Sequence, residues 1–333
     1  MASKKQKFNL YNFLNPERYD KKDALEDKDA EKMGFLWFFK LLGRRLSTIF
    51  SVNLLFVLGH FPFFFVFVAF AALERSVVPQ ALSFSNLYGA LQGRDADPLS
   101  SVLFGVSGAP SFENEVGVLT IVFLILACLV LFTFGPVNCG CAHIIRSVLR
   151  REPVFLFQDF FGTIKKNLKQ GLPLGVFDLL FLGVLTYDIW LFYQNYSASF
   201  LFTVLFFFSI AVMITYLFAR PYLYMLCITF DLKFFKLIKN AVIFAFLGVK
   251  RNVLALLANA FLVFLTVAMM ISGILMALAV LLPIVILCGL SLYIGYYASY
   301  KVIRKYMIDP YYDEDGNPLP EKKKEGDASE TLS

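Results

Sequence analysis

Charge and histidine are what this sequence of 333 residues has least of. Charged residues make up 17% of it and there are two histidines, against 58% hydrophobic residues and 39 phenylalanines. Soluble domains carry about a quarter charged residues, so this composition suits lipid better than water as a solvent. With only His60 and His143 available, most hydrolytic constellations lack a base. The phosphate loop GxxxxGK followed by Ser or Thr, a zinc-protease helix and a catalytic carboxylate pair are also missing. No enzyme activity, catalytic residue, metal or cofactor is therefore expected. The first 46 residues are polar and charged, so no cleavable leader is read there. Cysteine is scarce too: Cys128, Cys139, Cys141, Cys227 and Cys288 all lie in or beside apolar runs. A disulfide framework is thereby disfavoured, and thiols packing as small hydrophobes are the expectation.

What is there is a series of long uncharged runs. Six are long enough for a membrane helix of roughly 20 residues, at about 47–72, 117–142, 171–193, 199–226, 252–271 and 274–299. The net charge of +6 sits beside these runs, a pattern of membrane topology rather than of nucleic-acid binding. Eleven Lys and Arg precede Leu46, six lie in 143–170, five in 225–252 and six after residue 299. The connection 73–116 holds only Arg75 and Arg94. Alternate loops thus agree on both termini being cytoplasmic. The expected fold is an all-α polytopic bundle of about six membrane helices. It is preceded by a basic arm (1–46), interrupted by an outer connection (73–116) and followed by a disordered polar tail (309–333).

The basic connections carry their own helical periodicity. Phe157, Phe160, Phe161, Ile164 and Leu168 recur at helical spacing, as do Phe235, Ile238, Val242 and Phe246, and in the arm Phe35, Phe38, Phe39 and Leu42. Each stretch reads as an amphipathic helix in the headgroup layer; the alternative is a helix packed under the bundle. The bilayer itself is the first expected partner. Its contacts would be the interfacial cations Arg44, Arg45, Arg146, Arg150, Arg151, Lys165, Lys166, Lys250 and Arg251.

These pieces also repeat. Pro136 precedes Lys165-Lys166-Asn167 by the same interval at which Pro221 precedes Lys250-Arg251-Asn252, with an offset of 85 residues. Arg44-Arg45 and Asn53 form a weaker third copy. The unit reads as interfacial helix, basic pair, outbound span and return span, with Pro136 and Pro221 as hinges.

Ionisable groups at membrane depth are costly and therefore informative. Asp178 and Arg220 fall at similar depths on neighbouring spans, which predicts an ion pair; snorkelling to the interface is the alternative. His60 reads as a hydrogen-bonded packing residue, and Asn53 and Asn259 as interhelical hydrogen-bonding residues. The stretch GPVNCGCAHIIRSVLRR (135–151) places Cys139, Cys141 and His143 within five positions. On a helix, 139 and 143 share a face while 141 points away, and a structural zinc site needs four ligands. Small-residue packing after a proline bend is the expected role.

The segments VNLLFVLGHFP (52–62), GPVNCGCAHIIRSVLRREP (135–153) and FLFQDFFGTIKKNLKQG (155–171) resemble the YesL-like family of bacterial membrane proteins of unassigned function. Lys165 or Lys166, Asn167 and Gln170 fill the family's Lys-x-Asn-x-x-Gln pattern. The chain departs from the family in the 72 residues between Pro62 and Gly135, where members pass almost directly from proline to Gly-Pro. The resemblance implies a bacterial cytoplasmic membrane location and an accessory role beside ATP-driven carbohydrate importers, with an importer permease as partner. It implies no catalytic residues. A small-solute or lipid transporter working through Asp178 and Arg220 is the main alternative, and a membrane-organising or envelope-stress protein a third. Substrate and oligomeric state are not legible in the sequence.

Overall fold

Backbone surrounded by lipid can satisfy its hydrogen bonds within a helix, and the uncharged runs of this chain are helical. The computed structural model describes residues 34–78, 111–273 and 275–310. The expectations for 1–33, for most of the outer connection and for the tail beyond 310 lie outside the described residues. Among those described, five helical segments are long and apolar enough to cross a membrane: Val118–Leu149, Leu156–Gln194, Phe200–Thr229, Val249–Ile271 and Met276–Ile308. A sixth is counted if Phe35–Arg44 and Leu46–Gly59, bent by 77°, form one span. The fold is an all-α polytopic helix bundle, and its dimensions are those of a multi-pass membrane protein.

The chain forms two compact units. The larger comprises residues up to His60 together with those from Leu131 onward. Its helices are α1 (Phe35–Arg44), α2 (Leu46–Gly59), α5 (Val130–Leu149), α6 (Leu156–Gln194), α7 (Phe200–Thr229), α8 (Phe234–Leu247), α9 (Val249–Ile271), α10 (Met276–Leu282) and α11 (Cys288–Ile303). The smaller unit, Phe61–Val130, contains α3 (Phe64–Ala71) and α4 (Val118–Ala127) joined through an antiparallel ladder. Its strands, β1 (Glu74–Val78) and β2 (Ser111–Glu115), run in register from Glu74↔Glu115 to Val78↔Ser111. The outer connection therefore begins and ends as a hairpin stem, an element that mixed polar composition did not disclose. Thr120 Oγ1 donates to the Ala72 carbonyl at 2.8 Å, closing this unit.

Close backbone approach builds the core of the larger unit. A Cβ on Gly135 would overlap the Gly171 carbonyl oxygen, and one on Gly175 would overlap the Gly135 backbone. Helices α5 and α6 thus touch main chain to main chain through Gly171-x-x-x-Gly175, the small-residue spacing that membrane helices use. Gly140 accepts the ring of Phe160 in the same way, where a Cβ would fall 2.6 Å from the ring. The small residues around Pro136 are therefore contact points for α6.

The interfacial helices differ in one respect from the reading above. Residues 156–194 form one continuous helix of 39 residues, so the amphipathic stretch and the third span are not separate elements. The second copy breaks at Gly248, between α8 and α9, where the glycine sits against the Tyr222 hydroxyl. Thr163 occupies the equivalent position, 85 residues earlier, and carries no such break. Pro173 lies within the continuous helix. Helices α1 and α8 remain separate. They bury Trp37 and Leu41, and Leu237, Ala241, Phe244 and Ala245, respectively. The faces expected to be apolar are only partly the buried ones: Phe35, Phe39, Phe235 and Phe246 are exposed. The first expected span, 47–72, is interrupted at His60 between α2 and a 3-10 turn at Phe61–Phe63.

Candidate functional site

Three side chains on one face of α7 converge on one carboxylate of α6. Tyr216, Arg220 and Tyr224 recur every four residues, the spacing of one helix face. The Tyr216 hydroxyl donates to Asp178 Oδ1 at 2.7 Å and the Tyr224 hydroxyl to Oδ2 at 2.6 Å. Arg220 Nε lies 2.9 Å from Oδ2 and 3.1 Å from Oδ1. Asp178 is fully buried, while a quarter of the Arg220 side chain stays accessible. The guanidinium also lies 5.5 Å from the Phe134 ring centroid and 5.9 Å from that of Tyr224, within cation–π range. A buried carboxylate is tolerable only when paired and hydrogen-bonded, and this one has three donors. The sequence pairs Asp178 with Arg220 by depth. The two tyrosines are absent from that reading, although their spacing of four around Arg220 was available.

The other polar groups form separate local networks. His60 Nδ1 lies 2.7 Å from the Phe56 carbonyl, which assigns the proton to Nδ1 and leaves Nε2 as acceptor. The Asn138 amide faces that Nε2 at 3.4 Å and donates to Phe134 O at 2.8 Å. Asn53 sits elsewhere. Its Nδ2 donates to Ile284 O, and its Oδ1 accepts from the Gly289 amide at 2.7 Å. These groups belong to the π-helical turn Pro283–Leu287 and its exit, where backbone groups fall out of the regular ladder. Asn53 and Asp178 are thus held by different elements.

Pro136 and Pro221 lie inside helices α5 and α7. Each faces a glycine of another helix: a Cβ on Gly171 would lie 3.8 Å from Pro136 Cα, and one on Gly295 3.2 Å from Pro221 Cγ. The two prolines are packing partners of glycines as well as equivalent positions in the repeat.

The basic residues divide into two groups. Arg44, Arg150, Lys165, Lys166 and Lys250 are exposed, while Arg45, Arg151 and Arg251 are half-buried. Arg151 adopts a positive φ of 61° and stacks over Trp37 at 4.5 Å. Arg146 turns inward rather than toward phosphates. Its Nη1 donates to Ile228 O at 3.0 Å and to Thr229 Oγ1 at 3.1 Å, closing the C-terminus of α7. That is a favourable place for a cation, because terminal carbonyls carry partial negative charge.

His143 Nδ1 lies 3.1 Å from Arg146 Nη2, and Cys139 and Cys141 are fully buried. Cys139 Sγ packs where a Cβ on Gly171 would lie 3.1 Å away, and Cys227 Sγ is 3.9 Å from Gln170 Oε1. Among the described residues no three His, Cys, Asp or Glu side chains gather in a metal-holding group.

Helices α7, α9 and α11 line an open-sided cavity of about 630 Å³. Arg220, Asn252 and Asn259 line it, while Asp178, His60 and Asn53 do not. Asn252 is already satisfied: its Oδ1 accepts from Tyr222 at 3.0 Å and its Nδ2 donates to Ala245 O at 2.8 Å. Asn259 Oδ1, buried, has no hydrogen-bond partner. The sequence picks out Asn259 but gives no sign of this cavity.

No curated protein and no solved structure matches the chain. Residues 117–189, which run from the start of α4 to near the end of α6, match the family model described as "Protein of unknown function, DUF624".

Proposed function

We propose that this chain is a non-enzymatic accessory or assembly protein of the membrane, working through the outward faces of α1 and α8. The observation that carries this reading is that both helices are apolar on two sides. Each buries one stripe in the bundle, through Trp37 and Leu41 or through Leu237 and Ala241. Each also leaves large apolar side chains exposed beside cations: Phe35, Leu36 and Phe39 near Lys40, and Phe235 and Phe246 near Lys236 and Lys239. Such a face suits the headgroup layer or the flank of another membrane protein. The match to a family of unknown function is compatible with the YesL-like resemblance, and that resemblance alone supplies the bacterial plasma membrane and the carbohydrate-importer permease as partner.

The test is recovery of partners from native membranes in mild detergent, using wild type and a Phe235→Ser/Phe246→Ser variant. An importer permease retained by wild type and lost from the folded variant is the expected result. Wild type that retains no membrane protein overturns the accessory reading. Wild type that retains a different membrane protein overturns only the carbohydrate assignment.

A transporter is the second reading, favoured by the cavity beside Arg220. Against it stands Asp178, whose two oxygens are already taken by Tyr216, Tyr224 and Arg220. That leaves the carboxylate no free position for a coupling cation.

A further inference from the structure

The cavity between α7, α9 and α11 carries a hydrogen-bonding inventory that defines a ligand. Arg220 spends its Nε on Asp178, and neither Nη donates to a protein group among the described residues, although the side chain is a quarter accessible. The cavity therefore presents up to four N–H donors. Asn259 Oδ1 is a buried acceptor without a donor. Leaving such an atom unpaired costs about 1–3 kcal/mol, so the site is incomplete by one hydroxyl or amide hydrogen.

Depth and shape add the apolar half. Arg220 stands nine residues before Thr229, the end of α7, and Asn259 ten residues after Val249, the start of α9. At ~1.5 Å per residue both lie roughly 14–15 Å from these helix ends. The cavity continues along α9 through Val263, Phe264 and Val267, and the last of these is roughly 27 Å from the same end by the same rise. Val263 and Phe264 are exposed as well as lining, so the cavity opens on the flank of the bundle that faces lipid. Its volume of about 630 Å³ is that of a small-molecule site.

Charge decides the head. Asp178 already neutralises Arg220. A phosphate or carboxylate placed on the free Nη groups would leave one uncompensated negative charge at membrane depth, where ionic desolvation is most costly. A hydroxylated, uncharged head supplies acceptor oxygens to the guanidinium and a donor hydrogen to Asn259 without that cost. We propose that this cavity binds an uncharged, hydroxyl-rich lipid, of the sugar-headed diacylglycerol class. Its head would lie between Arg220 and Asn259 and one of its two acyl chains along Val263, Phe264 and Val267. This site is independent of the docking faces on α1 and α8.

The test is lipid retention measured by native mass spectrometry. The full chain is reconstituted in discs of phosphatidylcholine with equal minor fractions of monoglucosyl diacylglycerol and phosphatidylglycerol, avoiding sugar-headed detergents. The expected result is one retained glucosyl lipid, enriched about tenfold over its share. Asn259→Leu removes the acceptor at a half-buried position and should abolish most of that enrichment. Ala255→Phe fills the cavity and should abolish it entirely, with thermal unfolding of both variants near wild type. Equal retention of all three lipids, or undiminished glucosyl-lipid enrichment in Ala255→Phe, overturns the site. Preferential retention of phosphatidylglycerol overturns the uncharged head. Displacement by free glucose at millimolar concentration overturns the assignment to lipid.

Discussion

Asp178 and Arg220 meet through the guanidinium Nε, at 2.9 and 3.1 Å from the two carboxylate oxygens, and two tyrosines of α7 close the remaining approaches. Removing one partner of a buried pair typically costs about 3–5 kcal/mol because the other charge is left alone. Asp178→Asn and Arg220→Leu should each lower the unfolding temperature sharply. The exchange Asp178→Arg/Arg220→Asp should recover only part of the loss. It would place the carboxylate between Tyr216 and Tyr224 on their own helix, away from the geometry they now serve. No recovery at all in thermal unfolding would count against the pair as a stabilising contact.

Asn53 joins the first helices of the bundle to the last. Asn53→Leu strands the Gly289 amide and the Ile284 carbonyl, an expected loss of about 1–3 kcal/mol per buried unpaired group. Hydrogen exchange should rise locally at 284–289 before any global change. Unaltered protection of Gly289 would refute the bridge.

Backbone contact between α5 and α6 makes a sharp comparison possible. Gly175→Ala adds one methyl against the Gly135 main chain and forces the helices apart, whereas Gly183→Ala on the same helix meets nothing within 4 Å. The first should cause one of the larger losses a single substitution gives, ~3 kcal/mol or more. The second should be neutral or slightly stabilising, since alanine favours helix over glycine. Similar unfolding temperatures for the two variants would contradict the contact.

Cys139 and Cys141 are buried without a metal-holding group around them among the described residues. Cys139→Ala/Cys141→Ala should cost no more than about 2 kcal/mol, the scale of small cavities, and leave partner and lipid retention intact. Loss of either retention in a folded double variant would return the cluster to a functional role.

Much of this architecture was legible because lipid imposes simple rules. Uncharged runs marked the helices, and two charges at equal depth marked Asp178 and Arg220. Three further features escaped for physical reasons. The junction at 163–171 is continuous helix, with Thr163 where the second copy has Gly248, a difference that periodicity does not register. Gly171 and Gly175 read as ordinary members of a span until their neighbour across the interface is known. The cavity beside Asn259 belongs to no single segment: α7, α9 and α11 each look like unremarkable apolar helices, and the space exists only between them.

The contacts of the last helix carry a consequence for biogenesis. Tyr293 and Tyr297 donate to the carbonyls of Phe38 and Gly34 at 3.1 and 2.8 Å, and Gly289 packs so tightly on α2 that a Cβ there would lie 2.7 Å from the Ile49 carbonyl. Helices α1 and α2 thus find their final neighbours in α11, far along the chain. Until the segment from Ile284 to Gly289 has been synthesised, the Asn53 side chain lacks the backbone partners it has in the finished bundle, whereas the Gly34 carbonyl is already held by the Phe38 amide within α1. A stop before residue 288 would leave Asn53 without the Gly289 amide and α1 without the hydroxyls of Tyr293 and Tyr297.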